Sequence, residues 1–185
     1  MRLLTTALIL GAALLITDHA FAQTPPPAAP PPPPSAGGTP EQMPFATPYG
    51  SPISADRAAR VVSAVLAEAR KHPTWQFAIS VVDPSGDLVY FFRMDGVQLA
   101  SIRISEGKAR TAARYRRESR AFYNAYETGH QYVSTLDPTL VASPGGFPLI
   151  EGGKIIGAVG CSGGTGDQDA TVCKAGADAL PSTAR

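Results

Sequence analysis

Cysteine is scarce, with two in 185 residues. That excludes a disulfide-dense scaffold and any four-thiolate metal centre. Charge is scarce too: Asp, Glu, Lys and Arg make up 17% of the chain and sum to +1. Such a balance argues against a nucleic-acid binder, which needs a broad basic surface. No apolar run reaches the roughly 18–20 residues that cross a bilayer. Proline is nearly missing outside one stretch: of 18 prolines, twelve lie between Pro25 and Pro52 and none precedes Pro25.

What is present divides the chain into three parts. Residues 1–22 carry Arg2, an apolar run from Leu3 to Ile16, and the small-x-small triplet Ala20-Phe21-Ala22. This predicts a secretory signal cut after Ala22 and a periplasmic or secreted mature protein. Cleavage leaves His72 and His130 as the only histidines. In an oxidising compartment Cys161 and Cys173 are expected to pair, closing a loop of about a dozen residues. Residues 23–52 are rich in Pro, Ala, Thr, Gly and Ser. Pro30 to Pro34 favour polyproline II, so the stretch reads as a stiff, solvated spacer. Residues 53–181 remain for a single domain, long enough for one core.

Within that domain, Ser54 suits a helix cap, and Ala58, Val61, Val62, Val65, Leu66 and Ala69 follow at helical spacing before Pro73. Residues 75–83 and 88–93 read as strands joined by the turn Pro84-Ser85-Gly86-Asp87. Residues 98–126 read as two helices broken near residues 117–119. Strands at 147–151 and 155–161 flank Gly152-Gly153. A glycine loop at 162–166 precedes a last helix opened by Asp167 or Gln168 and running to Leu180. Hairpins separated by helices predict an α+β domain, with helices packed on an antiparallel sheet.

Several of these stretches recur together elsewhere. They are Val81-Val82-Asp83-Pro84-Ser85-Gly86-Asp87-Leu88-Val89, Arg93-Met94-Asp95-Gly96, Lys108-Ala109-x-Thr111-Ala112 and Pro144-Gly145-Gly146-x-Pro148. After them come residues 155–160, Ser162-Gly163-Gly164, Gln168-Asp169 and Ala175-Gly176-Ala177-x-Ala179-Leu180. In that order the set resembles the GlcG/HbpS family of haem-binding proteins, across the whole domain but not the first 52 residues. The resemblance implies a profilin-like fold, assembly into homo-oligomers, and a haem or related tetrapyrrole as ligand. It also leaves room for a role in haem handling or redox sensing.

Haem needs an apolar slot, an axial ligand and cations for two propionates. Between residues 103 and 120 lie Arg103, Lys108, Arg110, Arg114, Arg116, Arg117 and Arg120, against Glu106 and Glu118. These cations suit carboxylates or an acidic partner face, and equally a solvated helix face. His130 is the usual chemical choice of axial ligand, and Tyr115 is the phenolate alternative. The resemblance implies a threonine ligand, for which Thr111 is the counterpart. Met94 reads as packing. His72 and Glu68 sit at i, i+4 spacing, but two side chains do not make a metal site. The Glu-x-x-Glu iron-binding spacing of one secreted relative is absent. Two other functions stay open: an enzyme acting on haem or on a small organic acid, and a non-catalytic accessory to a periplasmic or membrane protein partner.

Overall fold

The computed structural model describes Met43 and residues 45–180. The signal segment and most of the proline spacer lie outside the described residues. Helix α1 (Ala55–Ala69) has Ser54 at its N-cap position, where the carbonyl accepts the Ala58 N–H but the hydroxyl, contrary to expectation, makes no capping bond. Its buried residues are the six that the spacing predicts. Strands β1 (Ala78–Val82) and β2 (Leu88–Arg93) form the first hairpin. Asp83 closes the turn by accepting the backbone N–H groups of Ser85 (2.8 Å) and Asp87 (3.0 Å). Helices α2 (Ala100–Tyr115) and α3 (Arg120–Glu127) follow, then a 3-10 turn (Gln131–Thr135). Strands β3 (Gly146–Glu151) and β4 (Lys154–Ser162) and helix α4 (Gly166–Asp178) complete the domain.

The four strands are antiparallel in the order β2-β1-β4-β3. Side chains alternate across β1, so Ile79 and Val81 join α1 and α4 on one face. Val82 joins Ala109, Ala112, Ala113 and Ala158 on the other, under α2. The α+β, profilin-like reading therefore holds. Helix α2 comes close to the sheet because Gly160 and Gly146 lie beneath it. A Cβ on Gly160 would meet the Ser105 carbonyl and the Ala109 amide, and one on Gly146 the Lys108 carbonyl.

Of the boundaries that differ from the sequence reading, three have a clear physical cause. Strand β1 starts at Ala78 rather than Trp75, because Trp75 stacks on His72 at 3.8 Å instead of pairing in the ladder. Helix α4 starts earlier than Asp167, because Thr165 caps it. Thr165 Oγ1 accepts the Gln168 N–H, and Gln168 Oε1 accepts the Thr165 N–H. The end of the spacer is part of the fold: Gly50 donates to the Ile155 carbonyl at 2.7 Å, and Ile155 donates to that of Pro48 at 2.8 Å. Composition assigned residues 45–52 to the linker because prolines and glycine outweigh Phe45 and Tyr49 there.

Candidate functional site

Helix α2 carries most of the residues to which the sequence assigns ligand chemistry, and it divides them between inside and outside. Lys108 faces inward, about 1% exposed, with Nζ 2.5 Å from Asp169 Oδ2. Asp169 Oδ1 accepts the backbone N–H groups of Gly163 and Gly164, both at 2.9 Å. Burial pushes the Lys108 pKa down and the Asp169 pKa up, and the attraction between them opposes both shifts. A propionate reaching Lys108 would have to break this pair and strand a buried carboxylate. Thr111 is also buried, and its Oγ1 accepts the Val141 N–H at 2.9 Å. Its place in the structure is as the peg that holds the 137–143 segment along α2. Arg103 stands at the opposite end of the helix, 88% exposed, 3.6 Å from Glu106.

The outer end of α2 gathers Arg114, Tyr115 and the following turn. Arg114 Nε donates to the Ser85 carbonyl at 2.9 Å, and its terminal nitrogen lies 3.5 Å from Asp137. Asp137 accepts both the N–H and the Oγ1–H of Thr139, at 2.8 and 2.7 Å. Those bonds, with Arg114 and Arg110 nearby, hold its carboxyl below the ordinary carboxylate value. The Tyr115 ring packs edge-on against Phe122, with centroids 4.7 Å apart. Burial first, and Asp137 second, push its phenol above the ordinary value, which opposes a phenolate ligand.

His130 lies apart, exposed, between α3 and the 3-10 turn. Its Nδ1 is 3.2 Å from Thr128 Oγ1, a hydroxyl that also lies within hydrogen-bond distance of the Asn124 and Ala125 carbonyls, at 2.9 and 3.1 Å. The His130 Nε2 makes no hydrogen bond among the described residues. Tyr132 flanks the ring edge-on, 6.1 Å between centroids, and Tyr126 and Leu136 are exposed on the same arm. The structure thus places Arg114 and Tyr115 at the end of α2, buries Lys108 and Thr111, and leaves Arg103 and His130 exposed.

The other candidates are structural. Met94 Sδ accepts the Phe77 N–H at 3.4 Å. Among the described residues no group of three or more His, Cys, Asp or Glu side chains is placed to hold a metal ion. Cys161 of β4 and Cys173 of α4 form a disulfide, fully buried, with Cα atoms 5.5 Å apart. Sequence reasoning missed Asp169 as the partner of Lys108, because an acidic residue in a first helical turn already has a local explanation. The signal was Thr165 with Gln168 three residues on: that capping box leaves Asp169 free for another task.

Known proteins share this fold. The sequence profile of the family described as "Haem degrading protein HbpS-like" matches residues 53–178. Protein GlcG of Escherichia coli K12 is 41% identical over 110 residues, covering 60% of this chain and 81% of GlcG. The crystal structure of Klebsiella pneumoniae ORFY superposes with a TM-score of 0.66 at 26% identity, covering 75% of this chain and 97% of that one. A crystal structure titled "PduOC:Heme Complex" superposes with a TM-score of 0.64 at 24% identity, covering 70% of this chain and 95% of that one. With the fold, the ordered motifs and the profile in agreement, the chain belongs to the HbpS-like family.

Proposed function

We propose that this protein is an exported, homo-oligomeric binder of haem or a related tetrapyrrole, with His130 as the axial ligand. The observation that carries the reading is the exposed His130 ring, which contacts Thr128 Oγ1 through Nδ1 and makes no hydrogen bond through Nε2 among the described residues. The family's description as haem-degrading and the haem complex of PduOC support the choice of ligand. Bound haem would supply one-electron chemistry at its iron. The chain's own part is to present the imidazole at the surface and to offer tyrosine and leucine surface beside it. Exposed Leu88, Phe91 and Phe92 on the edge strand β2 support association with further copies of the chain.

Absorption titration of the purified protein with haemin tests the reading. The expected result is a saturable Soret shift that His130→Ala removes. The absence of any saturable shift would refute it.

A further inference from the structure

Helix α2 ends at Arg116, which takes a left-handed conformation (φ 55°, ψ 32°) with a full side chain. Such a backbone is disfavoured outside glycine and persists where its surroundings demand it. Here the turn sets Arg116, Arg117 and Glu118 on the rim of a cleft of about 530 Å3, between that turn, β3 and the end of α4. Its apolar wall is made by Phe147, Pro148, Ile150 and Leu180. Ile150 is 45% exposed although it is a large aliphatic residue on a strand. The size lies in the range of small-molecule sites, which pair apolar walls with a few placed polar groups.

The charges around this wall are not equivalent. Lys174 and Asp178 neutralise each other at 2.5 and 2.6 Å. The Arg116 guanidinium lies over Tyr49 at 4.6 Å and donates to the Phe45 carbonyl at 3.3 Å. The Arg117 guanidinium carbon lies over the Phe122 ring, 4.7 Å from its centroid. Arg117 makes no hydrogen bond or ion pair among the described residues, and its Nε is buried without a partner. The terminal nitrogens of the same guanidinium also have no acceptor among the described residues, and an anion in the cleft would supply one. Against the two arginines stands Glu118 alone, so the rim carries one net positive charge.

We propose that this cleft binds an apolar molecule bearing a single anionic group, a monocarboxylate, gripped by Arg117. This is a site separate from His130, and it goes beyond the haem reading. One net cation suits one carboxylate; the two propionates of a haem would bring a second, uncompensated charge.

Calorimetric titration of the purified protein with 2-naphthylacetate, and with its uncharged amide, tests the assignment. The carboxylate should bind one per chain, about tenfold or more tighter than the amide. Arg117→Met, which keeps the stem over Phe122, should bring the two ligands to equal affinity. Should that variant fail to fold, Ile150→Glu changes an exposed wall position and should abolish carboxylate binding. Equal affinity of the unaltered protein for both ligands, or no saturable binding, would overturn the proposal. So would displacement of naphthylacetate by stoichiometric haemin, which would put the tetrapyrrole in the cleft. The haem reading fails separately, on the Soret titration.

Discussion

On the face of the sheet that carries α1 and α4, Val61, Val65, Ile79, Leu149 and Val159 are fully buried against one another. On the face that carries α2, the apolar contact is little more than alanine, and polar groups fill the remainder. Ser80 and Ser105 hydroxyls meet at 2.9 Å, Ser162 donates to Ser101 at 3.2 Å, and Lys108 pairs with Asp169. The first face is held by burial of apolar area, which is non-directional and tolerant of similar shapes. The second is held by directional bonds in a low-dielectric layer, where a single lost partner is costly. The difference teaches that the family-like Lys-Ala-x-Thr-Ala stretch serves the α2 layer: Lys108 and Thr111 are both buried and both bonded within the fold.

Breaking the ion pair should give the largest effect on the polar face. Lys108→Ala is expected to cost about 3–5 kcal/mol, because it leaves the Asp169 carboxylate buried and unpaired. Urea unfolding measures it. Adding Asp169→Leu should recover only part of the loss, since the Gly163 and Gly164 N–H groups then lose their acceptor. On the apolar face the matching cut is the disulfide. Cys161→Ala with Cys173→Ala should cost about 2–3 kcal/mol by loss of the constraint on the unfolded chain. The same denaturant series would show whether the two faces rank in that order.

The contrast between the faces was only half legible beforehand. The apolar face could be read, because Ala58, Val61, Val62, Val65, Leu66 and Ala69 fall at one helical period, and because turn residues punctuate the strands. The polar face could not. Lys108 and Asp169 are 61 residues apart, and nothing local in either stretch announces the other. Thr111 has the chemistry of a ligand, and only the fold shows that its oxygen is taken by Val141. Phe45 and Tyr49 were hidden by the prolines around them, yet their rings receive the Arg116 guanidinium. Chemistry alone singles out His130; the structure adds its exposure and the contact of its Nδ1 with Thr128 Oγ1.

Smaller effects sharpen the outer edge of the α2 layer. Thr111→Val keeps the shape but removes the acceptor of the Val141 N–H. It should cost about 1–2 kcal/mol in thermal or urea unfolding, and Thr111→Ser should restore most of it. Asp137 tests the same segment through pH. Its folded pKa lies below the unfolded value, so its contribution is complete above the ordinary carboxylate range. As pH falls through the lowered value, the folded state takes up the proton and the contribution is lost. Asp137→Asn should therefore flatten the acid limb of a melting-temperature profile and leave the neutral region sloped as before.

The central claim is that α2's buried polar groups hold the fold while exposed His130 meets the ligand. Haemin titration of His130→Ala beside Thr111→Val, each checked for folding by circular dichroism, tests it most directly. The account predicts that His130→Ala abolishes the saturable Soret shift, and that Thr111→Val loses stability but keeps the shift. A shift that survives His130→Ala and disappears in folded Thr111→Val would contradict it.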